Sequence, residues 1–181
     1  MIIHDSIRLE TVAGRPSFHD ITDNIKAIVD QNSITDGIIV ISSSHTTCSL
    51  FFDEDMHDRN YFGDDFLHVD IAKMMDKIAP PMKSEGDYHS PGEKHIEFGL
   101  NLGDSEFPPE KWTMLNTDAH LKSSLFGSNS MTLIIKDKKI LLGKLGKVFF
   151  VDWDQLRERN RNINIILLGE KNGWYITFNF K

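Results

Sequence analysis

A chain of 181 residues with 40% hydrophobic content can bury one substantial core, so a single domain is the expected organisation. Its formal charge of −7 and pI near 5.6 argue against nonspecific binding to nucleic acid or to an anionic membrane, and an anionic substrate would need a metal ion or a local cluster of donors. One cysteine, Cys48, excludes an intramolecular disulfide; no apolar run approaches the ~20 residues of a membrane span, and the amino terminus lacks a signal-peptide core, so a soluble cytoplasmic protein is expected.

Residues 2–12 read as an opening strand, with Ile7, Leu9 and Thr11 on one face, and Gly14 and Pro16 end it. Residues 19–29 predict an amphipathic helix: Asp20 is placed to cap it, and Ile21, Ile25, Ile28 and Val29 share one face. Two strands follow, one running to Ile41 and one resuming at Leu50, and the polar block Ser42-Ser43-Ser44-His45-Thr46-Thr47 interrupts them. The serines suit a turn that satisfies local backbone groups. His45-Thr46-Thr47 suits more, since an imidazole between hydroxyls offers a base or metal ligand beside donors for phosphate oxygens. Cys48 has no neighbouring cation to lower its pKa and reads as a buried strand thiol.

The acidic run from Asp53 to Asp58, with Asp64 and Asp65, reads as a solvated loop. Glu54 stands apart: the pleat decides whether it faces the cleft of His45. Residues 66–79 predict a helix, with Leu67, Ile71, Met74, Met75 and Ile78 at helical spacing and Pro80-Pro81 as its stop; Met74 and Met75 are expected to fill core. Between 80 and 113 lie five of the six prolines, with little periodicity and many aromatics, which predicts a long loop forming an ordered flap. His89 and His95 sit in it. Residues 116–127 predict a short helix in which Asp118 and His120 fall within the first turns; either a phosphate docks beside the imidazole, or Asp118 caps and His120 is exposed. Strands at 131–135, 140–142, 148–153, 163–168 and 174–180 complete a large antiparallel sheet. Arg157, Arg159 and Arg161 alternate and would share one face of an extended segment, solvated or in a subunit contact.

Several segments together resemble the YjbQ family, whose members are described as having secondary thiamine-phosphate synthase activity. These are Phe18-His19-Asp20-Ile21-Thr22, His45-Thr46-Thr47-Cys48-Ser49, Glu54, the helix that ends at Pro80, Asp118-Ala119-His120-Leu121-Lys122, and Leu142-Gly143, in the family's order over most of residues 1–169. The resemblance implies a single α+β domain over 1–181, mainly antiparallel sheet packed with a few helices, with a loop insertion at about 80–113 and a C-terminal strand extension at about 173–181. It also implies a homotrimer acting on small phosphorylated substrates, with Zn or Mg as the suspected metal; the alternative is a metal-binding or small-ligand-binding homotrimer without synthase activity. The candidate catalytic residues are His45, Thr46, Thr47, Glu54 and Asp118. The candidate metal ligands are His45, His89 and His120, with His95 as the alternative third. A three-histidine site requires these rings to converge on one ion at ~2.0–2.1 Å. Where the family carries a Trp-Gln pair after its Leu-Gly motif, this chain has Leu145-Gly146, so an expected site-wall glutamine is missing, and its Tyr-x-His appears as Tyr88-His89.

Overall fold

In a computed structural model, which describes residues 1–54, 56–103 and 108–171, eight strands and four helices follow one another along the chain. Strands β1 (Ile2–Glu10), β3 (Ile34–Ser43), β5 (Ser130–Lys136), β6 (Lys139–Ile140) and β8 (Asn160–Lys171) form a five-stranded antiparallel sheet in the order β1-β8-β3-β5-β6. Asp137 and Lys138 both take positive φ, the geometry of the tight primed turns that join β5 to β6. Strands β2 (Ser17–Asp20), β7 (Gly146–Asp152) and β4 (Cys48–Glu54) form a second antiparallel sheet, with β7 in the middle. The protein is thus a single α+β domain built on antiparallel sheets.

Burial of β7 on both faces explains its sequence. Val148 and Phe150 enter an isoleucine-rich core, while Phe149 and Val151 enter a second cluster with Phe51, Ile71, Met75, Ala119 and Trp153. Helix α1 (Thr22–Gln31) closes the first core with Ile25, Ile28 and Val29, and Ile21 at its start is also fully buried. Asp20 is not its capping residue. It ends β2 instead, and its Oδ1 accepts from the Thr22 N–H at 2.8 Å.

Helix α2 (Phe66–Ile78) starts at Asp65, whose side chain caps the Leu67 N–H, and it closes the second core. Its buried stripe is His68, Ile71 and Met75; Met74 and Ile78 face solvent, so only one of the paired methionines fills core. The helix is rotated because His68 stacks on Phe18, 4.7 Å between ring centres, and meets Phe149 edge to face. Residues 80–113 are not one loop. They contain helix α3 (Glu93–Leu102) and a 3₁₀ turn (Lys111–Met114), after which α4 (Thr117–Leu125) lies where the sequence predicts it. The expected strand at 174–180 lies outside the described residues.

A candidate anion site at the end of the two sheets

The site is organised by two carboxylates at the end of β7. Asp152 and Asp154 are buried, and each carboxylate holds an arginine at the start of β8, Arg161 within the strand and Arg159 just before it. Asp152 accepts from Arg161 Nε at 2.7 Å, from Thr47 Oγ1 at 3.2 Å and from the Asp154 N–H at 3.0 Å. Asp154 accepts from Arg159 Nη2 at 2.5 Å and from Asn116 Nδ2 at 2.8 Å. Burial alone would lower the pKa of Arg161, but the hydrogen bond and charge of Asp152 outweigh it and push the value up, so the guanidinium stays charged. Buried ion pairs of this kind hold an arginine in one geometry and leave its remaining N–H groups to point elsewhere.

Both arginines border a cavity of about 680 Å³ lined by Arg8, Arg157, Arg159 and Arg161, by Ser44, His45, Thr46 and Thr47, and by His120. Four arginines and one acid, Glu158, line it, and two of the four, Arg159 and Arg161, are charge-balanced by Asp154 and Asp152 behind the wall. Arg8 reaches it from β1, directly across the ladder from Asn162. Arg159 keeps a buried Nε without a hydrogen-bond partner among the described residues.

His45 is fixed from two sides. The Asn162 backbone N–H donates to its Nε2 at 3.0 Å, and Arg161 Nη1 lies 3.4 Å from its Nδ1. The Asn162 N–H occupies the Nε2 lone pair, so in this pose Nε2 is not turned towards a cation. His120 stands on the first turn of α4. Its pKa is lowered, chiefly by burial, with the neighbouring His95 and Arg159 adding to the effect; the Asp154 carboxylate and a hydrogen bond to the Thr46 backbone oppose it without cancelling it. His120 is therefore neutral at pH 7.

The profile described as UPF0047 protein YjbQ-like matches residues 5–170. The chain belongs to this family. It is 31% identical over 152 residues to a UPF0047 protein of Methanocaldococcus jannaschii, an overlap of 84% of this chain and 86% of the relative. It is 25% identical to the UPF0047 protein YugU of Bacillus subtilis, over 84% and 91% of the two chains. Among solved structures, a YjbQ/UPF0047 family protein of Clostridium acetobutylicum superposes with a TM-score of 0.62 at 27% identity, covering 92% of this chain and 99% of the other. A YbjQ-like protein of unknown function from Sulfolobus solfataricus gives 0.64 at 25% identity, covering 94% and 99%.

Within this family fold, the residues singled out by sequence separate into two groups. His45, Thr46, Thr47 and His120 line the cavity together, although Thr47 is buried and spends its hydroxyl between Asp152 and Arg161 Nη2. Glu54 does not line it: β4 carries it six residues away from Cys48, about 20 Å along an extended strand. Asp118 faces the other way, accepting from the fully buried Lys122 at 3.0 Å, which Asp76 also holds at 2.7 Å. Its carboxylate lines a smaller recess of about 160 Å³ and neutralises a buried cation.

His89 is exposed and outside the lining, whereas His95 of α3 is part of it. Among the described residues, no three His, Cys, Asp or Glu side chains gather closely enough to hold a metal ion, and the cationic lining suits an anion instead. A resident three-histidine ion therefore does not fit this arrangement. Leu145 and Gly146 are also outside the lining; a Cβ at Gly146 would come 2.3 Å from the Leu142 carbonyl oxygen and 2.0 Å from the Phe52 ring, so glutamine cannot be restored there without moving backbone. What the sequence reading missed is the direction of the arginines. The signal was the alternation of Asp152 and Asp154 just ahead of Arg157, Arg159 and Arg161.

Proposed function

We propose that the cavity binds a phosphorylated small molecule and that the chemistry it serves is transfer with pyrophosphate as leaving group, of the thiamine-phosphate synthase type that the family resemblance implies. The observation that supports this most is the set of four arginines around one recess of an acidic protein, two of them anchored by buried carboxylates. In that reaction the carbon–oxygen bond to a pyrimidine pyrophosphate breaks, a carbon–nitrogen bond to the thiazole phosphate forms, and pyrophosphate departs with the electron pair. Charge grows on the departing oxygens. Fixed guanidinium groups stabilise it without reorganising, which is how preorganised donors accelerate such steps. Thr46, exposed at the cavity, supplies a further hydroxyl donor, and neutral His120 offers an imidazole beside it.

A divalent ion carried in by the pyrophosphate itself is compatible with this wall, because magnesium is commonly held by substrate phosphates rather than by a protein cage. The second reading is a ligand-binding protein without synthase chemistry. It is favoured by the engagement of His45 Nε2, which leaves that ring as a positioning group rather than a free base. Assembly as a homotrimer in the cytoplasm belongs to the same proposal. Support for the trimer comes from the resemblance, since Arg159 and Arg161 are engaged inside the chain; light scattering that reports a monomer at micromolar concentration would contradict it.

The test is thiamine phosphate formation from its two phosphorylated precursors, with magnesium, with zinc and with chelator, for wild type, His45→Ala and Arg159→Met. The synthase reading expects product from wild type, with both variants strongly impaired. Pyrophosphate binding without product would leave the binding protein, and neither binding nor product would defeat both.

A further inference from the structure

Part of the cavity lining comes from a helix that buries nothing. Helix α3 has no buried residue, yet His95, Phe98, Gly99 and Leu102 all line the cavity, and these positions are i, i+3, i+4 and i+7. That spacing is one face of a helix, the face that in a globular protein packs against a core. Here it opens onto the recess. Phe98 is 61% and Leu102 43% exposed, so among the described residues their apolar surface has no partner large enough to cover it. A helix of ten residues is marginal in water unless such a face is covered. Inside the chain its neighbour is the 3₁₀ turn, where Gly99 sits so close to Met114 that a Cβ would lie 2.1 Å from the thioether sulfur. Met114 lines the same cavity and extends the apolar wall.

The recess is therefore lined by two kinds of group, the guanidinium groups and the apolar side chains of Phe98, Leu102 and Met114. We propose that the α3 stripe determines specificity, receiving the apolar, ring-sized body of a ligand whose phosphate rests on Arg159 and Arg161. This rests on the phosphate-binding reading above and adds to it a selection against compact phosphates such as the inorganic ion. The occupant is a small molecule rather than a second chain, because the apolar stripe and the cationic wall border one continuous cavity of about 680 Å³, within the range of small-ligand pockets of ~300–1,000 Å³.

The test uses the full chain and three probes in titration calorimetry: methyl phosphate, phenyl phosphate and 1-naphthyl phosphate. Wild type is expected to bind 1-naphthyl phosphate at least about tenfold tighter than methyl phosphate, because one ring removed from water contributes on that order. Phe98→Ala and Leu102→Ala should each shrink that ratio severalfold while methyl phosphate binding stays unchanged, and Phe98→Leu should restore part of it. Both positions are exposed, so neither variant is expected to unfold the chain. Equal affinity for all three probes, or a ratio unmoved by Phe98→Ala, would overturn the wall and leave the phosphate site standing. A change in sedimentation of Phe98→Ala with an unmoved ratio would give the stripe to a second copy instead and overturn it too. If no probe binds at all, the phosphate reading fails and takes this inference with it.

Discussion

The arginine wall and the α3 wall of one cavity are held in opposite ways. Arg159 and Arg161 are clamped by buried carboxylates at the end of a strand that is buried on both faces, so their positions are set by the core itself. Helix α3 is attached from outside, with no residue buried, against a four-residue turn. The contrast teaches where stability and selectivity separate: the arginine side cannot change without cost to folding, whereas the α3 side can change with little cost and mainly alters what is bound.

The largest effect is expected at Asp152. Replacing it with alanine leaves the guanidinium of Arg161 buried without its carboxylate, a loss of about 3–5 kcal/mol that a urea titration reads directly. In the α3 lining, Phe98→Ala should change the urea midpoint by no more than about 0.5 kcal/mol equivalent. Equal losses at the two positions would abolish the distinction between the walls.

Next in size is a change at the seam. Gly99→Leu adds a side chain where Met114 Sδ already lies 2.1 Å from the Cβ position, so α3 must lift or Met114 must swing into the cavity. Proteolysis under native conditions should then cut within residues 93–103 faster than in wild type, while the global unfolding midpoint stays nearly constant. Cleavage no faster than in wild type would mean that the turn yields and the helix stays seated.

The smallest effect is the pH dependence of the fold. His120 and His19 both have pKa values lowered from 6.5, in each case chiefly by burial, so below the unfolded value the unfolded chain binds more protons than the folded one. Their contribution is complete above about 6.5 and is lost as pH falls below it. Chemical denaturation at pH 7.5 and 5.5 should show the lower midpoint at 5.5, and His120→Gln should narrow the gap without closing it, since His19 remains. A midpoint that rises on acidification would reverse the sign of the argument.

Much of the fold was legible because burial writes periodicity into sequence. Ile21, Ile25, Ile28 and Val29 announce α1, and the unbroken run of Val148 to Val151 announces a strand buried on both sides. Helix α3 escaped for the same reason: it buries no stripe, and its proline-rich surroundings read as loop. Strand β2 escaped because four residues carry too little pattern and Asp20 doubles as an apparent helix cap. In the site, His45 and His120 stood out as titratable groups at interruptions of apolar runs, and the cavity brings them together. Glu54 and Asp118 stood out by the same logic and lie elsewhere, one carried off by the length of β4 and the other neutralising Lys122. Local sequence shows that an acid or a histidine is unusual; only the buried partners on neighbouring elements decide which way it points.

Whether the Arg159–Arg161 wall receives phosphate groups is decided by residue-resolved NMR of the labelled full chain titrated with inorganic pyrophosphate. Saturable shifts are expected of the Thr46 and Asn162 amides and of the Arg159 and Arg161 Nε–H signals, weakened by added salt and lost in Arg159→Met. Shifts confined to residues outside the cavity, or none at millimolar pyrophosphate, would contradict phosphate binding by this wall.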